Sequence, residues 1–139
     1  MTQTETTVSK HHAKGVLAQS DGETIVLAVP ETSYQLRLVV LKAPGTAVGK
    51  KISGVIRVQA RRIDKVGSGG RYIEPVAGRP RRVQGSVLSV NAADGTLVMS
   101  AGVPVVVKPM DARQKASDFA PGDFVSFDAL PGATFTPAG

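Results

Sequence analysis

The chain has 139 residues, 42% hydrophobic and 20% charged, so it carries enough apolar material for a core and does not read as disordered. It has no cysteine, which excludes disulfides, thiolate nucleophiles and cysteine-held metals, and with four Phe, two Tyr and no Trp its core must be mainly Val, Leu and Ile, a bias toward strands. The formal charge of +6 is uneven: residues 61–82 hold seven basic and two acidic side chains, residues 1–60 net +3 and residues 83–139 net −2.

Residues 1–12 read as a polar tail without the apolar stretch of a secretory signal, and no apolar run approaches the roughly 20 residues of a membrane span. A cytoplasmic location and no membrane partner are therefore expected. His11 and His12 have no third ligand nearby in sequence and belong to this tail, so no metal site and no cofactor are expected. Strands are predicted near 14–20 and 23–29, joined by the turn Ser20-Asp21-Gly22, then near 33–42, 51–66 and 71–77. In the strand over 51–66, Ile52, Ile56 and Val58 face one way and Ser53, Arg57 and Gln59 the other, but Ile63 and Val66 fall out of phase. A bulge near Arg61-Arg62 repairs the alternation.

Further strands are predicted near 82–91, 96–101, 103–108, 123–130 and 133–137. Val125, Phe127 and Ala129 share one face against Ser126 and Asp128, and Phe124, Phe127 and Phe135 are assigned to the core. Helix is limited to one or two turns within 111–119, where Ala112, Lys115, Ala116 and Phe119 fall at spacings of three and four. Asp21, Asp94, Asp111 and Asp123 sit at turns, a cap position and a strand entry, where a short carboxylate has a local hydrogen-bonding use.

The plan is written twice. Gly15-Val16-Leu17 aligns with Gly85-Ser86-Val87 at an offset of 70, and the turns at Asp21-Gly22 and Asp94-Gly95 follow. Thr24-Ile25-Val26-Leu27 then matches Thr96-Leu97-Val98-Met99, Val29-Pro30 matches Val103-Pro104, and Val48 to Ser53 matches Pro121 to Ser126 at an offset of 73. A Gly-x-Val opening strand, an Asp-Gly hairpin, a third strand, a linking segment and a Gly-Asp-x-Val strand resemble the oligonucleotide/oligosaccharide-binding fold. The resemblance is one of layout over 13–77 and 81–138, and an SH3-like barrel of the same size competes with it. Where that fold often places a helix, the first half has Lys42-Ala43-Pro44-Gly45-Thr46, a departure. The expectation is an all-β chain of two tandem five-stranded small barrels packed together: 13–77, a basic linker 78–82, and 83–139.

The functional lead is the basic segment: Arg57, Arg61, Arg62, Lys65, Arg71, Tyr72, Arg79, Arg81 and Arg82. If the strands over 51–66 and 71–77 pair as a hairpin around Gly67-Ser68-Gly69-Gly70, positive groups from both arms approach one another. Such a cluster suits a phosphate backbone, because each neutralised phosphate releases counterions, and Tyr72 offers a face for one base. The glycine-rich stretch is a turn, since no Lys-Ser or Lys-Thr follows it and no helix begins there. With His11 and His12 the only histidines and the carboxylates committed to turns, the chain reads as a non-catalytic binding module for nucleic acid or another polyanion. The competing expectation is an assembly module whose 51–77 hairpin docks onto a protein partner or a second copy.

Overall fold

The computed structural model describes residues 12–67 and 69–138. His11 and most of the predicted tail lie outside the described residues, as does Ser68 of the glycine-rich turn. The chain is all-β, with β1 (Ala13–Ser20), β2 (Thr24–Ala28), β3 (Gln35–Val39), β4 (Lys51–Lys65), β5 (Tyr72–Glu74), β6 (Ala77–Gly78), β7 (Arg82–Asn91), β8 (Thr96–Ser100), β9 (Pro104–Pro109), β10 (Phe124–Ala129) and β11 (Thr134–Pro137). The short helix expected within 111–119 is a single 3-10 turn, Ala116–Asp118. Among the described residues no helix is long and apolar enough to cross a membrane.

All the strands belong to one large mixed sheet in the order β1-β2-β3-β11-β4-β10-β7-β8-β9, with β5 on β7 and β6 on β3. Two additional pairings, β1 with β4 and β9 with β4, turn this path back on itself. The pairings therefore form two circuits that share β4: β1, β2, β3, β11 and β4 in one, and β7, β8, β9, β4 and β10 in the other. The N-terminal part of β4 pairs with β1 and β11, through Ala13↔Gly54 and Thr134↔Arg57. Its C-terminal part pairs with β9 and β10, through Gln59↔Lys108 and Phe127↔Ile63. Each half of the chain thus lends a strand to the circuit of the other.

The registers of the two circuits coincide. Lys14↔Ser53, Gly15↔Ile52 and Val16↔Lys51 have the same relation as Gln84↔Ser126, Gly85↔Val125 and Ser86↔Phe124. The bulge between Leu17 and Gln19 in β1 recurs between Val87 and Ser89 in β7. The bulge read from the phase slip at Arg61-Arg62 is also present: Ile63 pairs with Phe127 and Ala60 with Ala129, so β4 takes three steps where β10 takes two.

One strand pairing differs from the sequence expectation. The segments over 51–66 and 71–77 do not form a hairpin: Lys65 at the end of β4 pairs with Val125, and β5 pairs with β7 through Tyr72↔Gln84. Tight turns favour hairpins, but here Val66 donates its N–H to the carbonyl of Phe124 at 2.8 Å, which carries the end of β4 along β10 instead of back into β5.

The core is aliphatic, as composition requires, with Leu17, Ile25, Leu27, Leu36, Ile56, Leu97, Met99, Phe127 and Phe135 inside. Tyr34 ties the two halves together: its hydroxyl donates to the carbonyl of Ala101 at 2.8 Å and accepts from the N–H of Ile73 at 3.0 Å. Burial pushes this phenol's pKa up, against the pull of the Ile73 N–H. Asp111 does not cap a helix. It accepts from the backbone and guanidinium of Arg113, which hold its carboxyl at a pKa of about 2. The turn so formed stays charged until the pH falls to that value, and it aims Gln114 at β4.

Candidate functional site

Eight of the nine residues singled out from the sequence fall into three environments. Arg61, Arg62, Arg81 and Arg82 lie where β4, β10 and β7 run side by side, and Asp128 is the register partner of Arg82. Three cations of the basic segment are matched by carboxylates. Arg82 meets Asp128 at 2.8 Å, Arg62 meets Asp64 at 3.3 Å, and Lys65 meets Asp123 at 3.5 Å while standing 5.8 Å from the ring centroid of Phe119. Asp128 first, through its hydrogen bond, and then Tyr72 raise the pKa of the Arg82 guanidinium. Asp128 and Asp123 come from the half of the chain that is net negative, so folding partly neutralises the basic segment.

Arg71 and Tyr72 occupy the second environment. Arg71 reaches the hydroxyl of Ser86 at 3.4 Å, and the Tyr72 hydroxyl donates to Gln84 Oε1 at 3.2 Å. Gln84 Nε2 in turn donates to the carbonyl of Gly70 at 2.9 Å. The segment leading into β5 therefore lies over the outer face of β7 and β10. Ser126, placed outward by alternation, is 1% exposed beneath it, and Phe124 is half-buried on this outer face instead of in the core. Gly69 is required there, since its φ is +131° and a Cβ would stand 2.5 Å from Gln84 Nε2. The Tyr72 hydroxyl is thus committed to Gln84, and the residue is half-buried. Arg79 is exposed.

The third environment is a groove of about 500 Å³ on the outer face of β4, β9 and β11. Arg57, Gln59, Val106, Lys108, Thr134 and Asp94 line it. Arg57 and Gln59 point the same way because strand side chains alternate, and Arg61, also exposed, stands at the bulge that follows them. Lys108 enters from β9, directly opposite Gln59 in a parallel pairing. Arg57 Nη1 donates to Thr136 Oγ1 at 3.0 Å, which fixes the guanidinium at the wall. Among the described residues neither Arg57, Arg61 nor Lys108 has a carboxylate within salt-bridge reach. Asp94, the one carboxylate at the rim, is hydrogen-bonded to Asn91.

The arrangement can hold anionic groups along a line, since row positions on a strand repeat every ~7 Å. Arg57 and Arg61 were legible as basic strand residues. Lys108 was not, because it comes from a distant part of the chain and carries no local mark of its neighbours. No protein-family model matches the chain, and neither a curated protein nor a solved structure matches it.

Proposed function

We propose that this protein is a non-catalytic binding module that takes a polyanion, single-stranded nucleic acid first among them, along the outer face of β4. The observation that carries the reading is the open groove walled by Arg57 and Lys108, with exposed Arg61 further along β4 at its bulge: three cations without carboxylate partners among the described residues. Surface cations already matched by carboxylates gain little from a phosphate, because the existing pair must first be given up. Arg62, Lys65 and Arg82 are in that position. The interface proposed is therefore narrower than the basic segment and displaced from it toward β9. Stacking contributes little, since Tyr72 is the single aromatic of the basic segment and is half-buried. Affinity is then mostly electrostatic, low in sequence preference and steeply salt-dependent.

We further infer that the chain is a duplicated pair of small barrels, each with the layout of the oligonucleotide/oligosaccharide-binding fold. The coincident registers of β1 on β4 and β7 on β10, the recurrent bulges, and the two circuits closed through β4 support this.

The test replaces Arg57, Arg61 and Lys108 together by Gln and measures binding of a single-stranded oligonucleotide across a salt series. Loss of three phosphate contacts lowers the slope of log affinity against log salt by about 2. A parallel variant with Arg62 and Arg82 replaced by Gln changes the slope far less. An unaltered affinity and slope in the first variant would remove the assignment.

A further inference from the structure

The two circuits differ in one respect that matters for binding. In the second, the edge of β7 over residues 82–84 is taken by β5, through Tyr72↔Gln84, Ile73↔Val83 and Glu74↔Arg82. Gln84 Nε2 holds the carbonyl of Gly70, Gln84 Oε1 takes the Tyr72 hydroxyl, and Arg71 reaches Ser86. This added strand is what leaves Gln84 9% and Ser126 1% exposed.

In the first circuit the edge matching 82–84 is 12–14, and Lys14, Gly15 and Val16 on β1 with Lys51, Ile52 and Ser53 on β4 stand in the register of Gln84, Gly85 and Ser86 with Phe124, Val125 and Ser126. They do not have such a cover among the described residues. With Pro30 they line a groove of about 420 Å³, Lys14 and Lys51 are exposed, and Ser53 is half-buried where Ser126 is enclosed. Among the described residues, Ala13 and Lys14 pair with a strand only on the β4 side.

We propose that this groove accepts an extended acidic segment of a partner protein, added as a strand to the open edge of β1. The inference rests on the equivalence of the two halves inferred above, not on the polyanion row. An unpaired strand edge supplies N–H and C=O groups in the repeat that an incoming strand needs, and alternate side chains set specificity. The geometry of the occupant is read from β5. Its chemistry is read from the differences between the halves: Gln84 and Phe124 are replaced by Lys14 and Lys51, two ammonium groups without carboxylate partners among the described residues, at the sides of an apolar floor of Val16, Ile52 and Pro30. The residue standing where Tyr72 stands, opposite the counterpart of Gln84, is therefore a carboxylate, and the segment as a whole is acidic. A nucleic acid fits poorly, because it cannot continue the backbone ladder.

The experiment uses the full chain and a capped peptide, Gly-Gly-Glu-Glu-Ile-Glu, built on the segment 69–74 with Arg71 and Tyr72 replaced by Glu. Peptide affinity and backbone amide exchange at Lys14, whose N–H turns away from β4, are followed by NMR. The expected result is saturable binding that slows exchange at Lys14 and weakens by about tenfold or more in the Lys14→Glu, Lys51→Glu double variant. The Arg57, Arg61, Lys108 triple variant keeps its peptide affinity, which separates failure here from failure of the polyanion assignment. Four results would each overturn the proposal: no saturable binding; equal binding of the peptide with Lys in place of its Glu residues; the Lys14 amide already protected in dilute protein alone, which makes residues 1–11 the occupant; or Lys14 protection that grows with protein concentration, which makes it a second copy.

Discussion

Ile63 stands just past the bulge in β4, and the side of its backbone turned away from β10 is met by a side chain instead of a strand. Its N–H donates to Gln114 Oε1 at 2.8 Å, and Gln114 Nε2 donates to its carbonyl at 2.6 Å. One amide thus replaces one rung of ladder, and the Asp111-Arg113 turn holds it in place. A buried backbone group left without a partner costs about 1–3 kcal/mol, and Gln114→Ala strands two partly buried ones. The expected loss is about 2 kcal/mol, read from urea midpoints. Gln114→Glu distinguishes hydrogen bonding from packing. Ionised, the carboxylate has no hydrogen to give the Ile63 carbonyl; protonated, it has one. The fold therefore favours the protonated form and raises that carboxyl's pKa, so the variant comes closest to the parent below pH ~4 and falls behind as the pH rises through the raised value. A gap between variant and parent that does not change between pH 4 and 7 would show that the amide only fills space.

Among the elements, the matched openings of β1 and β7 have a steric cause. A Cβ at Gly15 would stand 2.5 Å from the carbonyl oxygen of Ala28 and 2.9 Å from Leu27 Cδ1. A Cβ at Gly85 would meet the carbonyl of Ser100, with Ala101 Cα at 3.1 Å. In both cases the obstacle is the backbone of the hairpin partner, just before the bulge that bends the strand across it. Backbone cannot swing aside as a side chain can, so Gly15→Ala and Gly85→Ala are each expected to cost about 3 kcal/mol, the upper end of overpacking. Gly45→Ala, at a site with nothing within 4 Å, stays within about 0.5 kcal/mol. Thermal unfolding of the three variants checks the contrast; equal midpoints would mean that the close approach relaxes freely. These glycines were legible in the sequence because a Gly opening a strand and an Asp-Gly turn are local signals, as was the bulge at Arg61-Arg62, written in the parity of Ile63. The partner of β4 was not. Nothing in residues 51–77 records that Lys65 lies beside Val125, or that Tyr72 lies beside Gln84, since pairing between distant strands leaves no mark in either one. The basic segment could be counted from sequence, but its acidic partners could not.

For the molecule as a whole, the exchange of strands decides how it folds. The first circuit needs β11, which comes from the end of the chain, and the second needs the C-terminal part of β4, which comes from the first half. Residues 80–139 alone would keep β7, β8, β9 and β10 but lose the strand that joins β9 to β10. They would also lose Tyr34, whose hydroxyl meets the carbonyl of Ala101. The apolar side chains of Val105, Val107 and Phe127 would then face a gap where Val58, Ala60 and Ile63 pack, and two strand edges would be bare. A half of this size buries too little surface to tolerate that loss. The full chain is expected to unfold in one transition, with far-ultraviolet circular dichroism and the fluorescence of Tyr34 and Tyr72 giving the same midpoint. Fragments 12–78 and 79–139 are each expected to lack a cooperative transition when separate and to regain one when refolded together, because every missing strand is present in the other piece. A fragment 80–139 that melts cooperatively at the midpoint of the full chain would mean that β4 is dispensable to the second circuit, and the shared-strand account of stability would fall with it.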